Sequence, residues 1–555
     1  MGTGYKRGVG SWGLLFSAVS AMIGSGWLMT VFFVSKIAGP AAILCWTLGA
    51  IMIFVIALTY SEVASLIPVS GASTRLPQIT HGTFISLFFG WLTWINLMTA
   101  PAIITQAMLE YVSNFLPILL NSHGSEHHLS IYGLLAATIL MLIFSFLNTY
   151  SIRFISRINN VLSIVKIAVP VLTAILLIAY GFHKHNFNNI NEGGFIPYGI
   201  KGIAIGVASG GILFAFNGFK QAVELAGEAE NPKRSIIIGV LGSLAIAFVV
   251  YLLLQVAFVG AINPNLLTHG WAHLAYKGDA GPLVGLLAGL GLSAMVVVLY
   301  VDVITATGAA ALVYATTAAR TLYGLSANRQ LPAFLQELNG AGVPMKAVMT
   351  NFVLGMTFFA PFHSWLAMAE FMSSIIALSF ITGPICCLCM RYQLPNSERA
   401  IRVPFVHLWS FVGIMICSLI IYWGGWEVVS KIGIVLLISV IAYWIYRLCS
   451  KRPHGIKMHW RASTWLWPYI IGLTLISYFG SFGGKNMLPH ELDTVLIAAL
   501  CILTLFLAVY YRTGDHHVQK TMDRLQHEAD TGIPSTIPDE DASDQDRGSL
   551  NPQKI

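Results

Sequence analysis

The sequence predicts an all-α polytopic membrane protein, and three observations carry that prediction. The 555 residues are 56% apolar and only 10% charged, where a soluble domain carries about 25% charged residues. Apolar runs of the roughly 20 residues needed to cross a bilayer recur from Ser11 almost to Gly514. Two of these runs are interrupted near their centres: at Gly24-Ser25-Gly26, and at Phe214-Ala215-Phe216-Asn217-Gly218. Backbone at membrane depth stays unpaired only where it lines a protein cavity. Breaks at matching places in two halves of a membrane protein mark a solute site near the midplane.

Residues 1–10 read as a short basic N-terminal segment on the cytoplasmic side. About fourteen transmembrane helices follow by length and apolarity. They lie near 11–36, 40–67, 86–118, 131–149, 158–182, 202–227, 235–261, 288–324, 346–362, 364–390, 406–425, 428–448, 464–482 and 492–511. The eighth run is long enough to require tilt or a break, and the ninth is short. Spans 1–5 and 6–10 each begin with a broken helix. Because five is odd, the two sets insert with opposite orientation, a 5+5 inverted repeat with discontinuous helices 1 and 6. This divides the chain into a transport core at 11–391, four further spans at 392–513, and an acidic tail at 514–555 expected to be disordered and cytoplasmic.

Charge sets the orientation. With the N-terminus inside, most Lys and Arg fall on the cytoplasmic side, among them Lys6, Arg7, Arg75, Arg153, Arg157, Lys233, Arg234, Arg391, Arg399 and Lys451. Lys36, Lys184, Lys201, Lys277, Lys431 and Lys485 fall outside. This asymmetry puts both termini in the cytoplasm and favours an even number of spans. The basic excess then faces anionic lipid. It has no interleaved stacking aromatics, which argues against a nucleic-acid partner. The cysteines lie mostly inside apolar runs and read as core residues, not as a disulfide framework or metal site.

The first break exposes backbone N–H groups at the positive end of a half-helix, which suits a carboxylate. The carbonyls of the second suit an ammonium group. Ile23, Gly24, Ser25 and Gly26, with Phe214, Ala215, Phe216, Asn217 and Gly218, are therefore the candidate substrate-binding residues for a zwitterionic amino acid. Phe214 is the candidate gate over it, and Phe216 is either a second gate or a core aromatic. The Gly202, Gly206, Gly210 series reads as a close-packing face. Lys166 lies nine positions beyond Arg157, about 13 Å deeper at roughly 1.5 Å per residue. That is too deep to snorkel easily, and an ionisable group at such depth is a functional candidate.

The ordered motifs resemble the amino acid–polyamine–organocation (APC) superfamily. They are Ile23-Gly24-Ser25-Gly26, Ala38-Gly39-Pro40, Tyr60-Ser61-Glu62, Pro68-Val69-Ser70-Gly71, Phe214-Ala215-Phe216-Asn217-Gly218-Phe219, Glu230-Asn231-Pro232-Lys233-Arg234, Arg320-Thr321-Leu322-Tyr323 and Ala327-Asn328-Arg329. Within it, Gly26-Trp27-Leu28, Val223-Glu224-Leu225-Ala226-Gly227-Glu228, His269-Gly270-Trp271 and Ser477-Tyr478-Phe479-Gly480-Ser481-Phe482-Gly483 most resemble the bacterial aspartate–proton symporter type.

The resemblance implies an amino acid permease working by alternating access in the cell (inner or plasma) membrane. In proton-coupled relatives, and in some uncoupled ones, the fifth span carries a lysine where sodium-coupled proteins of the same fold bind a cation, and Lys166 resembles it. Lys166 then either exchanges a proton during transport or only braces the broken first helix near Gly24. Asp302, just before Thr305 and Thr307, is either a second proton site or a paired structural acid. Lys220 stands where many relatives carry an acid. It either pairs with Glu224 one turn away or attracts an acidic substrate. The expected function is proton-coupled uptake of an amino acid, with the subfamily resemblance suggesting an acidic one, protons as coupling ion and no cofactor or metal. An exchanger of neutral or other amino acids and a non-transporting amino acid sensor are the alternatives. No intramembrane nucleophile–base pair points to an enzyme.

Overall fold

The computed structural model describes residues 9–69, 71–123, 126–149, 152–188, 193–274, 281–327, 330–339, 342–362, 364–449 and 458–531. Most of the expected N-terminal segment and residues 532–555 of the tail lie outside them, as do Asn328 and Arg329.

The first apolar run folds as α1 (Ser11–Met22) and α2 (Gly26–Ala38), separated at Ile23–Ser25. A 3-10 turn at Gly39–Ala41, with Pro40 inside it, turns the chain into α3 (Ala42–Leu66). The short α4 (Ala72–His81) leads into α5 (Thr83–Val112). A small antiparallel hairpin, β1 (Leu120–His123) and β2 (Glu126–Leu129), precedes α6 (Ile131–Leu147) and α7 (Ile152–Gly181). The hairpin is a minor departure from the expected all-α fold.

The second set opens with α8 (Gly199–Ser209), α9 (Ile212–Phe216) and α10 (Phe219–Glu224). Next come α11 (Pro232–Ile237) and, through a π-helical turn, α12 (Ser243–Ala261). The set is completed by α13 (Pro282–Gly289), α14 (Ser293–Ala327), α15 (Met345–Thr357), α16 (Trp365–Phe380) and α17 (Thr382–Gln393). The remaining helices are α18 (Val406–Trp423), α19 (Trp426–Cys449), α20 (Leu466–Phe479), α21 (His490–Tyr510) and α22 (Asp515–Thr531).

Every expected span is thus helical, but not every one is long. Among the described residues nine helices are long and apolar enough to cross a bilayer. A tenth is reached if α8 and the α9–α10 segment, bent by 47°, count as one. α15 has 13 residues and α20 has 14, short of the roughly 20 that span the hydrocarbon core. The long eighth run is one unbroken helix of 35 residues, about 52 Å at roughly 1.5 Å per residue.

Burial shows where the centre lies. The α16–α17 window is fully buried and that of α5 is 89% buried, while that of α19 is only 18% buried. α5 runs along α14, and α12 packs on α3 and α7. Polar side chains tie this core together. Trp46 Nε1 donates to Gln255 Oε1 at 2.8 Å, and Gln255 Nε2 donates to Ser35 Oγ at 2.8 Å, bridging α3, α12 and α2. Such interhelical bonds are worth about 0.6 kcal/mol each in membranes. Glu62, at the end of α3, is held by Arg391 at 2.8 Å and Arg399 at 3.1 Å, partners that lie far away in sequence.

The tail is a correction. Asp515–Thr531 forms α22, where disorder was expected. Val518, Met522 and Leu525 recur at helical spacing, and Val518 and Leu525 are buried. The helix packs on α4, with His517 Nε2 at 3.0 Å from the Gln78 carbonyl.

Candidate functional site

α1 stops at Met22, so its last carbonyls have no helical N–H to accept. Three side chains from three different helices take their place. Lys166 on α7 donates to Ser20 O at 3.0 Å and to Ser20 Oγ at 2.5 Å. The Tyr314 hydroxyl on α14 donates to Ala21 O at 3.2 Å. The Tyr251 hydroxyl on α12 lies 2.7 Å from Met22 O and 3.2 Å from Ala215 O, so it touches both broken helices. The opposite lip of the break is left open. No side chain caps the N-terminus of α2, and the buried Ser25 hydroxyl has no hydrogen-bond partner among the described residues. Uncapped N–H groups and a free hydroxyl at a positive helix end have the chemistry that suits a carboxylate.

The second break lies partly elsewhere than the sequence suggested. The main bend is at Gly210 and Gly211, between α8 and α9, where Gly211 takes φ +93°. Only glycine enters that region without cost. Phe214, Ala215 and Phe216 are helical, in the one-turn α9, and Asn217-Gly218 forms a further turn before α10. Gly210 was read as a packing glycine, which hid the hinge.

The two breaks lie directly against each other. A Cβ at Gly26 would sit 3.0 Å from the Cβ of Ala215, and one at Gly218 would sit 2.7 Å from the Ala21 carbonyl carbon. Ile23, Gly24, Ser25, Gly26, Ala215, Asn217 and Gly218 are therefore brought together at one place, all of them buried. Asn217 also faces Asn96 on α5, 3.4 Å away. The phenylalanines separate. Phe216 is packed between Trp46 and Tyr251, with ring centroids 5.7 and 5.4 Å away, and belongs to the core. Phe214 meets Trp365 edge-on at 6.2 Å, in a position to gate.

The charged candidates also separate. Asp302 is 2% exposed, and neither carboxyl oxygen has a hydrogen-bond partner among the described residues. The expected Lys220–Glu224 pair is not formed. Lys220 Nζ lies 3.3 Å from Thr93 Oγ1 and 3.3 Å from Ser379 Oγ, over the rings of Tyr60 and Phe380. Glu224 instead accepts from the Ser73 hydroxyl and, at 3.3 Å, from the Ser73 backbone N–H. Ser73 lies in the first turn of α4, where a hydroxyl, an open N–H and the helix dipole together outcompete a lysine one turn away. On this same side Arg320 and Glu228 pair at 2.7 Å, and Val9 bridges Ala229.

Tyr251, Tyr314 and Asn96 escaped the sequence reading. The one available signal was a polar group in the middle of an apolar span.

Residues 9–446 match the family described as amino acid permease. The chain is 34% identical over 506 residues to the glutamate/serine transporter AimA of Bacillus subtilis (strain 168), covering 90% of this chain and 92% of that one. It is 28% identical over 510 residues to the aspartate-proton symporter of the same organism, covering 91% and 96%. Its fold is similar to that of Mhp1, a nucleobase-cation-symport-1 family transporter in a closed conformation, with a TM-score of 0.52 at 14% identity, covering 96% and 98% of the two chains.

Proposed function

Because the chain belongs to the amino acid permease family, a multi-pass plasma-membrane transporter and not an enzyme, we propose that it takes up an acidic amino acid together with protons by alternating access. The observation that carries this reading is the uncapped N-terminus of α2 beside the buried, partnerless Ser25 hydroxyl. The substrate α-carboxylate binds there, at the N–H groups of Ser25 and Gly26; that of Gly24 is taken by the Met22 carbonyl at 2.9 Å. The α-ammonium turns to the carbonyls of the second break, near Ala215. Lys220 meets the side-chain carboxylate, since a charge at that depth must be paired and the contacts of the Lys220 ammonium among the described residues are two hydroxyls and two rings, with no carboxylate bonded to it. The names of two relatives, a glutamate/serine transporter and an aspartate-proton symporter, support the substrate class. The first of those names also favours serine as a second, weaker substrate.

In the proposed cycle the two breaks part to admit the amino acid, which the present contact between Gly26 and Ala215 leaves no room for. Lys166 and Asp302 carry the coupling proton: the Lys166 bond to Ser20 braces α1, and a change in its protonation frees α1 to move. We take the membrane arrangement to be fourteen spans with a 5+5 inverted repeat and both termini inside, in keeping with the charge asymmetry.

A screen of all twenty amino acids against the thermal stability of the purified protein tests the substrate class. A ligand at about 100 times its Kd stabilises by about 2.7 kcal/mol. Aspartate or glutamate is expected to raise the midpoint most and serine less. A response confined to basic or large neutral amino acids would remove the acidic assignment.

A further inference from the structure

Glu110 lies near the C-terminal end of α5, buried at 6% exposure, and no cation among the described residues pairs with it. A buried carboxyl group without a charge partner is costly. Here it has a specific task. Its Oε1 accepts from Gln106 Nε2 at 2.8 Å and from the backbone N–H of Trp365 at 3.1 Å. Trp365 is the first residue of α16, so Glu110 satisfies a main-chain N–H that the helix itself leaves open, at the end where negative charge is favoured. Ser364 caps a second N–H, that of Ala367.

The Trp365 ring closes over the broken helices. It is fully buried, stacks on Phe33 of α2 with centroids 5.6 Å apart and planes 7° apart, and meets Phe214 of α9 edge-on. A Cβ on the hinge residue Gly211 would lie 2.8 Å from the ring and 2.8 Å from Thr30 Oγ1. One side of this contact is α16, anchored to α5. The other is α2 with the α8–α9 hinge, the segments that carry the breaks.

We infer that Glu110 is the positioning residue of the outer gate. By holding the N-terminus of α16 against α5, it fixes Trp365 as the jaw that Phe33 and Phe214 close upon. The inference rests on the alternating-access reading and its orientation, in which α16 begins on the outer side.

The experiment is the labelling rate of Thr30→Cys by a membrane-impermeant thiol reagent in right-side-out and inside-out vesicles. Thr30 is buried behind the jaw, and the described native cysteines are buried as well. In the Glu110→Ala background labelling from the outside is expected to rise about tenfold, the shift of one buried hydrogen bond. Glu110→Gln, whose amide oxygen still accepts from Trp365, should label like the parent. Trp365→Ala, which keeps the backbone bond but removes the jaw, should also label fast, and it keeps the test open if Glu110→Ala does not fold. A rise for Trp365→Ala with none for Glu110→Ala overturns the anchoring role, as does an unchanged rate in both. A rise seen only in inside-out vesicles supports the Glu110 anchor while refuting the proposed orientation.

Discussion

The ammonium of Lys166 on α7 lies 2.5 Å from the hydroxyl and 3.0 Å from the carbonyl oxygen of Ser20 on α1. It therefore completes the hydrogen bonding of a helix that ends inside the protein, and it does so one turn from the proposed substrate. In the proposed cycle this brace is the point at which protonation is coupled to the movement of α1.

Lys166→Ala should abolish accumulation of substrate driven by a proton gradient, while slow exchange down a substrate gradient persists. Parallel uptake and counterflow in proteoliposomes check this. If the variant still concentrates substrate under an imposed proton gradient, Lys166 is not the carrier.

Tyr251→Phe removes the hydroxyl that bonds Met22 O and Ala215 O. The Met22 carbonyl keeps the Gly24 N–H at 2.9 Å, so the cost is that of a lost buried hydrogen bond, about 0.5–1.5 kcal/mol, and the thermal midpoint should fall. Because the hydroxyl joins the two breaks, transport should fall with it. An unchanged midpoint would mean that other donors replace it.

Gly218→Ala should be far more damaging than an ordinary glycine replacement. The new methyl would lie 2.7 Å from both the Ala21 carbonyl carbon and the Met22 Cγ. Overpacking of this kind costs about 1–3 kcal/mol, and here it falls on the closed contact itself. Uptake should be lost in protein that still reaches the membrane; wild-type uptake would show that the breaks do not need to meet.

Ser25→Ala removes a hydroxyl that has no partner in the closed protein. Its thermal stability without ligand should be unchanged or slightly higher, while substrate affinity falls about 12- to 160-fold, the worth of one hydrogen bond to a charged group. Ser25→Leu fills the space and should abolish binding. Equal affinities for Ser25→Ala and the parent would place the carboxylate elsewhere.

Lys220→Gln should weaken aspartate and glutamate more than serine in competition for uptake, because it removes charge but keeps a polar group near Thr93 and Ser379. Equal losses for all three would assign Lys220 to structure alone.

The first break was legible because Gly24, Ser25 and Gly26 interrupt an otherwise apolar run, and a membrane helix rarely tolerates that without a cavity. The hinge at Gly211 was not, because Gly202, Gly206 and Gly210 repeat at the spacing of a packing face and a positive φ leaves no trace in sequence. The true partner of Glu224 was not legible, because the one-turn spacing to Lys220 is visible, whereas Ser73, 151 positions away, is not. Glu110 was silent for the same reason: Trp365 lies 255 residues further on. The tail misled through its composition. Its acidic character concealed the spacing of Val518, Met522 and Leu525.

The most direct measurement is uptake of radiolabelled glutamate into proteoliposomes containing the purified protein, with the pH gradient as the variable. The account predicts accumulation above equilibrium when the outside is acidic, collapse of that accumulation when a protonophore is added, and competition by aspartate. Uptake that is indifferent to the pH gradient, or no uptake of any acidic amino acid by protein that binds one, would contradict it.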